Sequence, residues 1–237
     1  MKRHLTRRFW IAAILAVFAP ILSKTLQAQN ALVDGNFDHV ASSGWARDVR
    51  SSTIPGPDWL SNDPNDATRL IGQGWKRGLL VGNGPDPSAA VVSSIAPYSN
   101  VLEILRTGAG GAGEGGFVYQ DVNINVTTIS NFTLSADVRI DAQSLAGGSY
   151  GGGEYPVVLM IGWTDASGIY HWDDGINFSH YVQAFYSVPG NRTVSRSQQI
   201  AANTWVHYTS PNLKTLFPNV VRIDRVAIGF GGWDYHS

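Results

Sequence analysis

The aromatic and polar side chains of residues 163–174 form the group best suited to chemistry in this chain. Within twelve residues they combine Trp163, Tyr170 and Trp172 with the carboxylate of Asp173. Sugars present flat C–H faces and hydroxyl edges, so a sugar site needs exposed aromatic rings beside groups that hydrogen-bond the hydroxyls. The segment therefore predicts a site for a polysaccharide or glycan, with Trp172 as its leading contact.

Other rings extend the predicted site. Tyr181 follows the segment closely, and Trp59 and Trp75 lie in the polar region 55–77. For any one tryptophan the alternative is a place in the hydrophobic core, which we expect for Trp205. The chain has eight tryptophans among 237 residues, a share that favours the exposure of some of them. The predicted ligand contacts are Trp172, Asp173, Tyr181, Trp59, Trp75 and Trp163.

Two glycine-rich stretches match known motifs but lack the structural context that those motifs need. Residues 108–113 fit the dinucleotide-binding pattern G-x-G-x-x-G, and residues 147–151 fit the G-x-S-x-G pattern of serine hydrolases. The first pattern works where the glycines open a helix, and the second in a strand–turn–helix. Here each runs into a sequence typical of a strand, EGGFVYQ and GGEYPVVLM. Both are predicted to be loops.

Hydrolytic catalysis finds little support in the sequence. A glycoside hydrolase needs two carboxyl groups that face one sugar. Of the three glutamates, Glu114 and Glu154 lie in or beside glycine-rich loops, where a carboxylate is poorly held. Asp173 and Asp174 are neighbours and would point to opposite sides of a strand. The histidines form neither HExxH nor HxH, and the absence of cysteine excludes a catalytic thiolate. We therefore expect no enzyme.

The first 28 residues have the three parts of a secretory signal peptide. Residues 1–8 are basic, residues 9–22 form an apolar run, and Leu26 and Ala28 suit the −3 and −1 positions of a cleavage site. The alternative is an uncleaved membrane anchor, but the run of 14 residues would span about 21 Å as a helix, short of the ~30 Å hydrocarbon core. We expect a secreted or cell-surface protein with no membrane insertion after cleavage. The lack of cysteine favours a bacterial source.

The charge of the remaining chain argues against two classes of partner. Five of the 17 Lys and Arg residues lie in the first 28 positions and none of the 18 Asp and Glu residues does, so residues 29–237 carry a net charge of −6. Nucleic acids and anionic membranes are bound through clusters of basic residues. We therefore expect neither as a partner.

Residues 29–237 alternate short strand patterns with turns. The clearest pattern is FTLSADVRI at residues 132–140, in which apolar and polar residues alternate. Segments rich in Gly, Asn and Asp separate such patterns, and almost no helical periodicity follows the signal. Further strands are predicted at residues 79–81, 101–105, 117–126, 155–164, 205–209 and 220–230. The pattern predicts an all-β fold of two packed antiparallel sheets in one domain.

The two ends and the middle of this region carry motifs that occur together in a known family. NALVDGNFD fills residues 30–38 and is followed by Gly44-Trp45, FVYQDVNI precedes FTLSADVRI, and Thr204-Trp205 precedes IDRVAIGFGGW. These motifs resemble the opening, middle and closing strands of the galactose-binding-like jelly rolls of the carbohydrate-binding-module type. The resemblance implies a two-sheet antiparallel β-sandwich with jelly-roll topology. It marks a fold more than a ligand.

The resemblance also implies a structural Ca2+ and a further strand. In such modules the acidic residue of the opening motif, here Asp38, holds the ion together with backbone carbonyls and an Asp of the final strand. The alternative is that Asp34 and Asp38 are ordinary acids of a turn and a strand end. The chain ends at Ser237, before the V-D-x-V-x-L pattern of that strand. We therefore expect a domain that lacks its last strand and that is either free or part of a larger parent polypeptide.

Two functions from different classes remain. The first is a secreted, non-catalytic carbohydrate-binding module that holds polysaccharide or glycan through exposed aromatic rings. The second is a structural or adhesive β-sandwich of the cell surface, whose rings form core and interface. An exposed pair of coplanar rings would favour the first function, and burial of all the tryptophans would favour the second.

Overall fold

The computed structural model describes residues 76–80, 88–106, 114–144, 154–172, 181–190, 194–232 and 235–237. All of them belong to one unit of the chain, Ala31–Ser237. Several sequence predictions fall on other residues: the signal peptide, the opening motif, both glycine-rich motifs, and the residues Asp38, Trp59, Trp75 and Asp173. Within the described ranges, no helix has the length and apolar character needed to cross a membrane.

The described residues form thirteen strands and one short helix, so the all-β prediction is confirmed. In chain order they are β1 (Lys76–Leu80), β2 (Ser88–Ile95), β3 (Tyr98–Arg106), β4 (Glu114–Asn125), β5 (Ser135–Val138), β6 (Ala142–Gln143), β7 (Tyr155–Asp165), β8 (Tyr170–His171), β9 (Tyr181–Tyr186), β10 (Ser197–Gln199), β11 (Val206–Thr209), α1 (Leu213–Leu216), β12 (Val220–Gly232) and β13 (Tyr235–His236).

The strands form three sheets. The main sheet has seven strands in the order β1-β4-β12-β7-β9-β10, with β8 also paired to β7. A two-stranded sheet joins β5 to β11, and a four-stranded sheet has the order β2-β3-β13-β6. The pairings are antiparallel except for β9 with β10.

The central strand β7 is buried on both faces. Its sequence YPVVLMIGWTD has ten consecutive buried residues and a half-buried Asp165 at its end. Because neighbouring residues of a strand point to opposite faces, β7 contributes to two separate cores. Val157, Leu159 and Ile161 belong to the first core, and Val158 and Met160 belong to the second.

The first core lies between the main sheet and the two-stranded sheet. It joins side chains of β7 to Val138 at the end of β5, and Ala136, Val206 and Tyr208 pack against it. Leu213 of α1 closes the same core. The alternation predicted for residues 132–140 is confirmed here, since the apolar side chains face this core and the exposed positions carry polar ones.

The second core lies on the opposite face of the main sheet and is rich in aromatic rings. Phe117 and Tyr119 of β4 belong to it together with Tyr155, Tyr181 and Tyr186. Their ring edges meet in pairs, as for Tyr155 and Tyr186, whose centroids lie 6.2 Å apart at 83°. Rings packed edge to face in this way gain more than their buried area alone provides.

The strand β5 is shorter than the sequence pattern because of its partner. Pairing with β11 stops at Thr209, where Ser210 and Pro211 follow. Proline has no N–H to continue a ladder. Just before it, the Ser210 hydroxyl accepts a hydrogen bond from Leu134 N at 2.9 Å and Ser210 N donates to Leu134 O at 2.9 Å, so the two chains stay joined for one residue beyond the strands.

Polar side chains connect the four-stranded sheet to the main sheet. Arg106 of β3 is buried and its Nη1 donates to the carbonyl of Gly232, at the end of β12, over 2.6 Å. The Gln143 side chain of β6 donates to Glu154 O and accepts from Ser187 N at 2.7 Å. These bonds satisfy backbone groups where the sheets meet.

The sequence patterns predicted seven of the thirteen strands and missed the longer strands β2 and β9 as well as the short strands β6, β8, β10 and β13. Each strand predicted from residue 79 onward overlaps an observed one. The strand β9 has the sequence YVQAFY and is buried on both faces, so it shows no alternation between apolar and polar residues. The aromatic residues of β9 lie in the interior, although the sequence pattern predicted one of them, Tyr181, to lie on a ligand-binding surface.

We predict that Phe185→Ala lowers the free energy of unfolding by about 3–5 kcal/mol, because the ring is fully buried in the first core against Tyr208. Urea unfolding measures the loss. Gln198→Ala is the matched control, since Gln198 is exposed and lies opposite Phe185 in the β9–β10 register. Equal stability of the two variants would contradict the assignment of the core.

Candidate functional site

A tight turn brings the predicted aromatic segment back onto β7. The Asp165 Oδ1 atom accepts hydrogen bonds from Ser167 N at 2.8 Å and Ile169 N at 2.9 Å. Gly168 has φ +82°, a conformation that glycine adopts without strain. The chain then forms β8, which pairs Tyr170 with Thr164 and His171 with Trp163. Residues 165–168 are therefore one of the turns that separate the strands.

His171 and Trp163 face the first core. Their rings stack with centroids 4.1 Å apart and an interplanar angle of 21°. The His171 Nε2 atom lies 2.9 Å from Asp165 Oδ2, so one carboxylate holds both the turn and the imidazole. Trp163 is buried. Its predicted role as an exposed ligand contact is therefore corrected: the ring packs in the core and against His171.

Tyr170 and Trp172 lie on the opposite face, beside a row of residues that crosses the main sheet. The register pairs Arg225 of β12 with Asp121 of β4 on one side and with Gly162 of β7 on the other. Arg225 donates to Asp121 Oδ1 at 2.7 Å. Its guanidinium lies 4.0 Å from the ring centroid of Tyr119 and 5.3 Å from that of Trp172.

Trp172 is half-buried rather than fully exposed. Its ring meets Phe117 edge-on with centroids 5.3 Å apart, and the Arg225 guanidinium lies over it. The indole Nε1 is buried and has no hydrogen-bond acceptor among the described residues. The ring is thus held in place by aromatic and cation–π contacts.

Gly162 makes room for both rings. A Cβ atom at this position would lie 2.4 Å from the Tyr170 hydroxyl and 2.9 Å from Trp172 Cε3. An isolated glycine inside an apolar strand commonly marks such a close approach. The glycine therefore allows the two rings to lie directly on the sheet.

Tyr170 combines a buried hydroxyl with an exposed ring. The residue is 44% exposed, and its neighbour Ile169 is 58% exposed. Desolvation of the hydroxyl, opposed by the charge of Arg225, raises the pKa of Tyr170 to about 12. The phenol therefore stays neutral at physiological pH and offers its ring, not a charge, to a ligand.

Polar side chains border the exposed ring. Thr164 Oγ1 donates to Asp224 Oδ2 at 2.7 Å and accepts from Arg222 Nη2 at 3.1 Å. Arg222 Nε also bonds to Asp224, and the Arg222 side chain is half exposed. These groups and the two rings form what we call the Tyr170–Trp172 patch. Its members are Asp121, Thr164, Tyr170, Trp172, Arg222, Asp224 and Arg225.

Tyr181, another predicted contact, does not join this patch. Tyr181 is fully buried in the second core, where its hydroxyl accepts from Arg196 N at 3.0 Å. Its predicted exposure is corrected, because β9 places the ring in the interior beside β7. Asp173, Trp59 and Trp75 lie outside the described residues, as does Asp38. Within the described ranges, no group of three or more His, Asp or Glu side chains is arranged to hold a metal ion.

Sequence reasoning missed the residues that support the rings. Arg222, Asp224 and Arg225 interrupt the apolar pattern of β12, and Gly162 interrupts that of β7. Charged residues and a glycine inside otherwise apolar strands were the available signal. The pairing of those two strands could not be read from either one alone.

Comparison of the chain with models of protein families finds no match, and comparison with curated proteins finds none either. The resemblance to carbohydrate-binding jelly rolls therefore remains an expectation drawn from the motifs themselves.

We predict that Gly162→Ala displaces Tyr170 and Trp172, because the added methyl group overlaps both side chains. The expected destabilisation is about 1–3 kcal/mol, the usual cost of overpacking. The NMR resonance of the Trp172 indole N–H reports the displacement. Gly229→Ala is the control, since its methyl group meets Met160 Sδ in the second core. An unmoved indole resonance in Gly162→Ala would refute the packing described.

We predict that Asp165 contributes to stability at neutral pH and loses that contribution in acid. The hydrogen bond from His171, followed by those from Ile169 and Ser167, lowers the pKa of Asp165 below its usual 3.8. When the pKa of a carboxyl group is lower in the folded protein than in the unfolded chain, the ionised group stabilises the fold at any pH above the unfolded-chain pKa. That stabilisation is lost as the pH falls through the folded-state pKa. Asp165→Asn should flatten the decline of the melting temperature below about pH 4. Parallel profiles for the two proteins would contradict this.

Proposed function

We propose that this protein is a secreted carbohydrate-binding module and that the Tyr170–Trp172 patch contacts the glycan without catalysing a reaction on it. The observation that carries the proposal is the exposed ring of Tyr170, held on the sheet beside Trp172 and bordered by Arg222 and Asp224. A sugar face can stack on the ring while its hydroxyls bond to the charged groups. The partner is a polysaccharide or glycan.

The residues that hold the two rings in place, Gly162, Phe117 and Arg225, suit a binding role. Tyr170 lies over Gly162, and Trp172 is fixed by Phe117 and Arg225, so the rings lose little freedom when a ligand binds. A site that is ordered before binding avoids the entropy cost of ordering its side chains. The Arg222 side chain is half exposed, so ligand hydroxyls can reach its guanidinium, whereas the largely covered Asp224 carboxylate holds that guanidinium in place.

The arrangement of sheets supports the proposed jelly-roll sandwich. The main sheet and the two-stranded sheet share the first core, as the two layers of a sandwich do. We include the four-stranded sheet in the same domain because Arg106 and Gln143 connect it to the main sheet. A structural Ca2+ at Asp38, export through residues 1–28 and a larger parent polypeptide belong to the same proposal.

The alternative function, a structural or adhesive β-sandwich, also has an observation in its favour. Trp163, Tyr181 and Phe185 are buried, and Trp172 is partly covered. In that case the Tyr170–Trp172 patch packs against a protein surface instead of a sugar. A binding experiment separates the two functions.

We predict that Tyr170→Ala weakens binding to a retained polysaccharide about tenfold, because one stacked ring contributes roughly 1–2 kcal/mol. Affinity electrophoresis through gels that contain single polysaccharides measures retention. Trp172→Ala should weaken binding as well, but it should also lower the melting temperature, since its ring packs on Phe117.

The control for this prediction is Ile129→Ala, which removes another exposed apolar side chain from a different turn. It should leave retention unchanged. Retention of Tyr170→Ala equal to that of the unmodified protein would remove the patch from the site. If no polysaccharide in a broad panel retards the unmodified protein, the structural or adhesive function is the better one.

A further inference from the structure

The outward face of the two-stranded sheet carries a continuous chain of four polar side chains. The register places Asp137 of β5 opposite His207 of β11, and Ser135 opposite Thr209. Asp137 Oδ1 lies 2.8 Å from His207 Nδ1, and His207 Nε2 lies 3.2 Å from Thr209 Oγ1. Ser135 Oγ lies 3.1 Å from Thr209 Oγ1. The apolar residues between them face the first core, so these four face outward.

The direction of the hydrogen bonds follows from the chemistry of the groups. An ionised carboxylate only accepts, so in the neutral imidazole Nδ1 carries the proton and donates to Asp137. His207 Nε2 is then an acceptor, and the Thr209 hydroxyl donates to it. The Thr209 oxygen keeps lone pairs that accept from Ser135. Protons are therefore donated in one direction, from Ser135 through Thr209 and His207 to Asp137.

A second element fixes the carboxylate. Burial and a hydrogen bond to Asp137 raise the pKa of Tyr98, so the phenol stays a donor to that carboxylate. The Tyr98 ring meets Trp205 edge-on at a centroid distance of 4.7 Å. The Trp205 indole N–H donates in turn to the carbonyl of Ala96 at 3.0 Å. The start of β3 thus also holds Asp137.

We propose that this face is a hydrolytic site for carboxylic esters, with Thr209 as the nucleophile, His207 as the general base and Asp137 as a positioning residue. A hydroxyl within hydrogen-bond reach of an imidazole, itself oriented by a carboxylate, is the arrangement that activates an alcohol for acyl transfer. We call the hydrogen-bonded side chains of Ser135, Thr209, His207 and Asp137 the relay. The proposal is independent of glycan binding, because the relay shares no residue with the Tyr170–Trp172 patch.

The reaction needs only the ester and water. Thr209 Oγ1 bonds to the acyl carbon while its proton moves to His207 Nε2, which gives a tetrahedral intermediate. The bond from the acyl carbon to the leaving oxygen then breaks, and His207 returns the proton to the departing alcohol. Water attacks the acyl-threonine, with His207 taking its proton and passing it to Thr209 Oγ1 as the carboxylic acid leaves.

The position of the relay sets the class of substrate. The His207 side chain is 66% exposed, so the acyl group approaches an open sheet face rather than a cavity. An open site selects weakly by shape, which suits small acyl esters that are free or carried on the surface of a larger molecule. The Ser135 hydroxyl lies beside Thr209 and can turn to donate to the oxyanion.

Hydrolysis of p-nitrophenyl acetate by the full chain tests the proposal. We expect Thr209→Val and His207→Gln each to lower turnover at least tenfold, because each removes one member of the acyl-transfer pair. Asp137→Asn should lower turnover at unchanged KM, since it alters the imidazole tautomer but no substrate contact. Acid quenching followed by peptide mass analysis should find an acetyl group on Thr209.

Matched variants separate this chemistry from the reactivity of any exposed imidazole. Thr133→Val changes an exposed threonine just before β5, and His171→Gln changes a second carboxylate-paired histidine. Both should retain the turnover of the unmodified protein. Undiminished turnover of Thr209→Val, equal losses in His171→Gln and His207→Gln, or acetylation only at residues other than Thr209 would each overturn the proposal.

Discussion

Because β7 is buried on both faces, its neighbours must supply apolar side chains to two cores at once. The strand β12 does so along its length, with Val226 in the first core and Ala227 in the second. The strand β9 does the same with Phe185 and Tyr181. A slip of the whole pairing by one residue would exchange the side chains of the two cores, so the overall register is constrained, and the shifts that the β7–β12 and β7–β9 ladders contain are local irregularities. The positions of the surrounding strands are therefore fixed relative to β7.

The fixed register explains how a charged row can cross an apolar sheet. Arg225 and Asp121 lie on adjacent strands at paired positions, so the guanidinium is neutralised where it leaves the core. Its flat face then covers Tyr119 and supports Trp172. A buried charge is costly unless it is paired and hydrogen-bonded, and both conditions are met here. The same arginine thus links the second core to the exposed rings.

The sequence predicted the features that depend on local pattern and missed those that depend on pairing between distant strands. The all-β class, the turn at Asp165 and the alternation at residues 132–140 follow from neighbouring residues. The burial of Tyr181 and Trp163 does not, because an aromatic-rich strand with two buried faces looks like an aromatic surface cluster. Trp205 was expected in the core but is only half-buried at its edge, where its indole bonds to Ala96.

The candidate sites show the same division. Trp172 was selected from sequence because it lies in a segment rich in aromatic and polar residues, whereas Tyr170, two residues earlier in that segment, was not among the predicted contacts. Arg225 and Gly162 became part of that site only through the β12–β7 register. The relay of Asp137, His207 and Thr209 joins residues about seventy positions apart. No spacing motif in one segment could reveal it.

The short strand β8 places one residue on each face of the main sheet. Its two residues point in opposite directions, Tyr170 over Gly162 and His171 onto Trp163, and both are tied to the turn that Asp165 closes. One peptide unit therefore separates the ring that a bound molecule would cover from the imidazole stacked on Trp163. Occupancy of the outer face would then alter the near-ultraviolet circular dichroism of Trp163, a buried ring that the bound molecule never touches.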